Sequence, residues 1–532
     1  MRHLLLYIFC TIFIGISVNA QNIQISVNAL QGQKHISPYI YGRNNSASQR
    51  PENPVTEAQW QLLRDAGVKL LRENQGNNAS KYNWRKKLSS HPDWYNNVEY
   101  HNWDYEAQEI QKHMPQTQQM WALSLIGYAA KDTAYNFDFM AYDKGKGGNN
   151  EENWCAKGDA SKYLEPWGPD SVVGILNYWL NDLKLNPKTI QYWNMDNEAE
   201  IWVTKHSDVI SDKYQAEDYI QKYVETAKKA RAIYPDIKLV GPAFSNEWQW
   251  YNWNGIKIKT DDGTSYTWVE YFIKRIGEEQ KKSGVKLIDV LDFHLYPIAD
   301  PALTLQVHRI WYDTTWVYPQ SNGLKRLGPT DWNAANDKEY IFSRCHDWLN
   351  QYMGENNGVT FGVSEYGQIY NEDPNVVACW YASHLGTFAD NNVELFTPWD
   401  WDLGMWEVMH LFTKYAGTVE VASTSSKNDV VSAYSSLSAD GDSLTIILVN
   451  KDLTNSQTLS IDISNISTKN GNVDIYSLSD LPKTETFKSA TNNALKKSTA
   501  SIKDNKIQVN VPKLSVSAIV IKASKPVTIS VK

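Results

Sequence analysis

Two apolar runs in this chain carry glutamates at or near their ends: IQYWNMDNE (190–198) closes on Asn197-Glu198, and VTFGVSEYG (359–367) carries Glu365. Between them FHLYP holds His294 and Tyr296, TPWDW with Trp399 follows, and VKLLREN upstream holds Arg72. Two carboxyl groups are the equipment for opening a glycosidic bond: one protonates the leaving oxygen while the other, ionised, attacks the anomeric carbon. A separation of about 5–5.5 Å between them gives a covalent intermediate and retained configuration. The acid then needs a raised pKa, and the nucleophile needs hydrogen bonds that keep it ionised. His294 and Tyr296 have the donors to serve Glu365, and Arg72 the charge to keep it ionised. Asn197 suits the sugar hydroxyl beside the reacting carbon, and Trp399 an apolar floor under the ring. A lone Asn-Glu dipeptide carries no weight, since such carboxylates are commonly solvated or sit at helix starts. The ordered set carries the reading.

Those residues need a frame that brings distant strand ends to one place. From residue 34 onward, short β-rich runs alternate with amphipathic stretches, the pattern of βα units and a parallel sheet. The candidate strands cover 35–44, 68–74, 120–127, 190–198, 237–243, 290–297, 359–367 and 393–401. Helical periodicity marks TEAQWQLLRDAG, DSVVGILNYWLNDL, AEDYIQKYVETAKKARAIYP, WVEYFIKRIGEEQKKSG and the stretch around YIFSRCHDWLNQYM. This predicts an α/β fold, a (β/α)8 TIM barrel over 34–411, whose active site lies at the C-terminal ends of the strands. Alternating runs such as DSLTIILVN, KIQVNVP and SVSAIVIKA predict a C-terminal β-sandwich built from 412–532 together with 21–33.

Composition bounds the partner. A formal net charge of −8 gives no electrostatic footprint for nucleic acid or anionic membrane, so a neutral partner is the more natural one. With the carboxylate pair that partner is expected to be a polysaccharide substrate, and the chain is expected to be a monomer. The 22 Trp and 31 Tyr exceed what packing asks for, and the surplus suits sugar-stacking surfaces. Met1 to Ala20 has a basic start, an apolar run and small residues before Ala20: a signal peptide (1–20), implying a secreted or periplasmic protein. Cys155, Cys345 and Cys379 are too few and too scattered for a disulfide framework or a CxxC metal site.

The strand order resembles clan A of the glycoside hydrolases, and in detail the chain is similar to glycoside hydrolase family 44, which contains endo-acting β-1,4-glucanases and xyloglucanases. The resemblance rests on SPYIYGRN, NASKYNW, GYAAKD, NMDNEAEIW, LVGPA, LDFHLYP, SEYG and SAYSSLSADGDSLTIILVNKD. It implies Glu198 as acid/base and Glu365 as nucleophile of a retaining endo-β-glycosidase acting on a β-1,4-linked glucan-type polysaccharide such as a cellulose derivative, xyloglucan or glucomannan. It also implies no required cofactor. The family's Asn-Glu-Pro is Asn197-Glu198-Ala199 here, and its Trp-Gly-Gly-Asn is replaced by Glu73-Asn74-Gln75-Gly76-Asn77. Family members bind a structural Ca2+ near the loop after strand three, where Asp132, Glu151 and Asp159 are the local oxygen ligands; a solvated acidic loop explains these equally well, and no metal site is assigned.

Two alternatives stay open at this level: a clan A glycosidase acting on mannan, xylan or galactan, and a non-catalytic carbohydrate-binding barrel. Tryptophans near strand ends, among them Trp94, Trp103, Trp202, Trp248, Trp250, Trp253, Trp311 and Trp406, are candidates for stacking subsites. His206 and His308 fit structural roles better than ligand binding, Asp196 is expected to be structural, and Glu200 to start a helix or join a salt bridge.

Overall fold

The computed structural model describes residues 22–90, 98–133, 143–144, 154–155, 159–255, 257–297, 300–319, 324, 340–367 and 370–531. Met1 to Ala20, Trp94 and Glu151 lie outside the described residues. Among the described residues no helix is long and apolar enough to cross a membrane.

Eight parallel strands form one sheet in chain order. They are β1 (Gly42–Asn44), β2 (Leu70–Arg72), β3 (Gln118–Ala122), β4 (Tyr192–Asn194), β5 (Lys238–Phe244), β6 (Val290–Leu295), β7 (Thr360–Tyr366) and β8 (Val393–Phe396). The helices that follow them in turn are α1 (Glu57–Ala66), α2 (Trp103–His113), α3 (Pro169–Asn177), α4 (Ala216–Ile233), α5 (Trp268–Ser283), α6 (Ile341–Met353), α7 (Pro374–Asp390) and α8 (Met405–Tyr415). This is the expected (β/α)8 barrel. Its ends meet where β1 lies against β8: a Cβ on Gly42 would stand 2.5 Å from the Phe396 carbonyl oxygen, so only glycine permits that approach. The Asn44 amide completes the seam, donating to the carbonyls of Thr397 at 2.7 Å and Ser364 at 2.9 Å.

Several strands, among them β2, β3, β4 and β8, end earlier than the sequence suggests, because the chain leaves the ladder to build the mouth, whereas β1 ends at Asn44 as expected and β5 runs to Phe244. The expected strand 190–198 pairs only over Tyr192–Asn194, and Glu198 stands in the loop beyond it.

The second unit is a sheet that closes on itself. Ile23–Asn28 runs parallel to Gln457–Ser464 on one side and antiparallel to Val419–Ser425 on the other, so the N-terminal strand seals both free edges. One face of this sheet packs on the barrel: Tyr434, Ile447, Val449, Val516 and Ala518 share a core with α7 and α8. The opposite, interior face has its own aliphatic core, including Ile25, Val421, Leu448, Ile461 and Ile519. Helix α7, covered by barrel and sheet together, is buried along nearly its whole length.

Candidate active site

Glu198 and Glu365 come together at the barrel mouth: one carboxylate oxygen of each and a ring nitrogen of His294 lie within 4.8 Å of one another. Both glutamates are buried. Glu198 adopts a left-handed backbone (φ 46°, ψ 51°), costly for a residue with a Cβ and found where surrounding structure enforces it. Its amide donates to the Ala243 carbonyl at 3.2 Å. The turn before it is held by Asp196, whose carboxylate accepts from the Asn197 amide at 2.8 Å, the Leu125 amide at 2.5 Å and the Ser80 hydroxyl at 2.5 Å. Asp196 thus has the structural place expected of it. Glu200 sits in the short turn Ala199–Ile201 and accepts from the Ser245 amide at 2.7 Å, tying the loop after β4 to that after β5.

Around Glu365 the donors converge. Arg72 Nη1 donates to Glu365 Oε1 at 2.9 Å and to Asn44 Oδ1 at 2.9 Å, and its Nη2 donates to Asn197 Oδ1 at 3.4 Å. The Tyr296 hydroxyl donates to Glu365 Oε2. Gly367 makes room for that tyrosine, since a Cβ there would stand 2.7 Å from Tyr296 Cε1. Trp399 is half-buried, its amide donating to the Tyr366 carbonyl at 3.1 Å and its indole edge approaching Gly76.

One placement differs from expectation. The closer partner of His294 is Glu198: Nδ1 lies 2.8 Å from Glu198 Oε1 and 3.5 Å from Glu365 Oε2. On its other side the histidine faces a β-bulge. Phe293 pairs with Val363 but His294 pairs with Glu365, leaving Ser364 without an opposite residue. Consecutive residues Ser364 and Glu365 therefore both reach the histidine, and Nε2 meets the Ser364 hydroxyl at 3.0 Å.

The electrostatics separate the two carboxyls. Burial raises the pKa of Glu198, and the charge of Glu365 adds to the rise against the lowering influence of His294. Burial also disfavours charge on Glu365, yet His294, Arg72 and the Tyr296 hydroxyl outweigh it and hold that carboxyl below its usual value. One group is thus set to carry a proton and its neighbour to be ionised, the division of labour that acid and nucleophile require.

Three contributors escaped the sequence reading: Asn44, Ser364 and Asp292. Asp292 accepts from the Ser364 amide at 2.9 Å and the Ser364 hydroxyl at 2.5 Å. Its signal was present, since Asp292 and His294 alternate as polar residues in the apolar strand VLDFHL, a pattern that places both on one side. The stacking candidates mostly resolve otherwise: Trp103, Trp202, Trp250 and Trp311 are core residues, Trp253 and Trp406 are buried, and Trp248 alone of those described is well exposed. At the suggested calcium position, Asp159 caps its own turn by accepting from the Ser161 amide at 3.1 Å. Among the described residues the grouping of metal-type ligands is Glu198, His294 and Glu365. His308 is buried with Nε2 3.5 Å from Lys451 Nζ, and His206 is buried too, so neither lines an open cleft.

A (β/α)8 barrel with a carboxylate pair at or beyond the C-terminal ends of β4 and β7 is the arrangement that glycoside hydrolases use, and it is this class that the chain is similar to. The resemblance seen in the sequence holds in particular, because the family model of glycoside hydrolase family 44 matches residues 88–299. A curated relative, the beta-mannanase/endoglucanase A of Caldicellulosiruptor saccharolyticus, is 24% identical over 304 residues, 52% of this chain, and the chain spans only 21% of that relative's length. Among solved structures, a bifunctional glucanase-xylanase from a metagenome library superposes with a TM-score of 0.75 at 20% identity, covering 94% of this chain and 99% of its own. A Paenibacillus polymyxa xyloglucanase of family 44 gives 0.72 at 18% identity, covering 94% and 100%. At these identities the superpositions establish the fold.

Proposed function

We propose that the protein is a secreted retaining endo-β-glycosidase that hydrolyses a β-1,4-linked glucan-type polysaccharide by double displacement. The observation that carries this is the close approach of Glu198 and Glu365, within 4.8 Å, with pKa values driven in opposite directions. Inverting enzymes need about 6.5–9.5 Å between their carboxyls to admit a water. The facing oxygens of this pair lie closer than that range, which favours the retaining reading. In the first step Glu365 attacks the anomeric carbon while Glu198 gives its proton to the departing glycosidic oxygen, and the C–O bond breaks as the glycosyl–Glu365 ester forms. Glu198, now ionised, takes a proton from water in the second step, and the resulting hydroxide cleaves the ester with net retention. Arg72 and Tyr296 receive the negative charge that returns to Glu365. Asn197, held by Arg72, is the hydrogen-bonding group for the hydroxyl beside the reacting carbon, and Trp399 gives the sugar an apolar face.

The substrate class follows from the relatives, whose names specify glucanase, xyloglucanase, xylanase and mannanase activity. The signal sequence supports export, which such a polymer requires.

Purified protein screened against cellulose derivatives, xyloglucan, glucomannan, xylan and galactan, with product size followed over time, tests substrate and mode together. Rapid loss of polymer length on a glucan is expected; release of monomer alone, or action confined to galactan, overturns the assignment. For the mechanism, Glu198→Ala supplied with azide and an activated aryl glycoside is expected to yield a β-glycosyl azide. An α-configured product would mean inversion.

A further inference from the structure

The hydrogen-bond pattern around His294 fixes more than its position. Asp292 lies wholly inside the barrel and collects three donors: the Ser364 amide, the Ser364 hydroxyl at 2.5 Å, and Asn194 Nδ2 at 3.2 Å. Burial pushes the Asp292 carboxyl up, while His294, Ser364 and Arg72 pull it back; with three donors aimed at it, the carboxyl serves as an acceptor and is read as ionised. The single hydroxyl proton of Ser364 is thereby committed to Asp292, and only a lone pair remains toward His294 Nε2, so that nitrogen must carry a proton. On the other side, Nδ1 faces Glu198 at 2.8 Å and Glu365 at 3.5 Å, two acceptors.

We propose that Ser364 and Asp292 are positioning residues that hold His294 as a doubly protonated imidazolium, a fixed positive charge between the two glutamates that keeps both of its protons throughout the reaction. This rests on the reading of Glu198 and Glu365 as acid and nucleophile and adds to it the source of their charge balance. With His294 charged, it and Arg72 offset Glu365 and Asp292, and the proton that makes the buried cluster neutral belongs on Glu198, where acid catalysis needs it. With His294 neutral, the same groups would leave an uncompensated buried negative charge.

The other groups facing this histidine are consistent with that balance. Burial disfavours the charged ring, but Glu365 and Glu198 outweigh it and raise its pKa. Glu200, behind Glu198, is pushed up to about 7 by burial, and the Tyr296 phenol well above its usual value, so neither adds negative charge in acid solution. Arg72 opposes the charge on His294, and Lys205 lowers Glu198.

Nitrogen-15 spectra of the full protein labelled at histidine test this directly, with the His294 signals assigned by their loss in His294→Gln. Both ring nitrogens are expected at imidazolium shifts at pH 7 and to stay there above the ordinary imidazole titration. A bare, unprotonated ring nitrogen in the wild type at that pH overturns the proposal. In Ser364→Ala and Asp292→Asn one nitrogen is expected to lose its proton near the ordinary value; in Ser364→Ala, which leaves the Asp292 charge in place, both limbs of the kcat/KM–pH profile are expected to move up by about one unit, because each glutamate has lost a neighbouring cation. Ser364→Thr, which keeps the hydroxyl, is expected to retain the wild-type limbs. Limbs that stay put in Ser364→Ala, with only the height of the profile reduced, also overturn it. The spectra need no substrate, so failure of the wild type to cleave any glucan would refute the proposed function without touching this result.

Discussion

At the scale of single residues, the site depends on groups whose charges are buried and paired. Arg72 has no solvent exposure and joins Glu365 to Asn44 and Asn197. Removing one partner of such a pair leaves the other charged and unsolvated, so Arg72→Met is expected to cost about 3–5 kcal/mol of stability as well as activity, read by urea denaturation. Tyr296→Phe is milder. It removes one donor to Glu365, and a loss of roughly tenfold to a hundredfold in kcat/KM is expected, with the acid limb moving to higher pH because that hydroxyl helps hold the carboxyl low. In the wild type, activity requires Glu365 ionised and Glu198 protonated. The rate should therefore fall below a pKa lying under the usual carboxylate value and above one lying over it. A profile with both limbs at ordinary carboxylate values would contradict the burial and partners seen here.

At the scale of elements, two glycines transmit backbone geometry to the site. A side chain at Gly367 has no space beside the Tyr296 ring and the Asp400 carboxylate, so Gly367→Ala is expected to lower kcat with little change in melting temperature, the displacement falling on these two side chains and through the ring on the hydroxyl that serves Glu365. At Gly42 the obstacle is backbone, the Phe396 carbonyl, and Gly42→Ala is expected to destabilise the barrel seam by about 1–3 kcal/mol, measured by thermal unfolding. The elements also show what periodicity can reveal. Helices α1, α4 and α5 bury one face and expose the other, and their sequences announce it. Helix α7 was missed because PNVVACWYASHLGTFAD has no polar face to alternate with: barrel and second sheet cover it from both sides. The bulge at Ser364 leaves no mark in VTFGVSEYG, since register belongs to the pairing of strands and not to either strand alone.

At the scale of the whole molecule, the barrel and the closed sheet share a core, and groups trapped between them tie stability to pH. Lys451 is buried, donating to the Asn428 carbonyl and the Ser432 hydroxyl at 2.6 Å each, and burial pushes its pKa down to about 7. Between that value and the ordinary lysine range, the unfolded chain holds a proton that the folded one lacks. Stability from this group therefore rises as pH increases from 7 toward 10, by up to about 1.4 kcal/mol per pH unit. Lys451→Met is expected to flatten that slope in urea titrations across the same range; an unchanged slope would show that the lysine keeps its proton in the fold. Tight contact recurs at Gly386, where a Cβ would fall 2.2 Å from the Tyr434 ring, so the two units meet as one packed interior.

The sequence by itself determined the repeating βα pattern, the strand-rich C-terminal region and the two glutamates, because these follow from local periodicity and from residue types at strand ends. It also led to Arg72 and Tyr296 as partners of Glu365. The tertiary structure alone decided that His294 leans to Glu198, that Ser364 and Asp292 stand behind it, and that most of the suspected stacking tryptophans are core. Hydrogen-bond partners and burial arise from register, barrel closure and the packing of one unit on another, none of which is a property of any short stretch of chain.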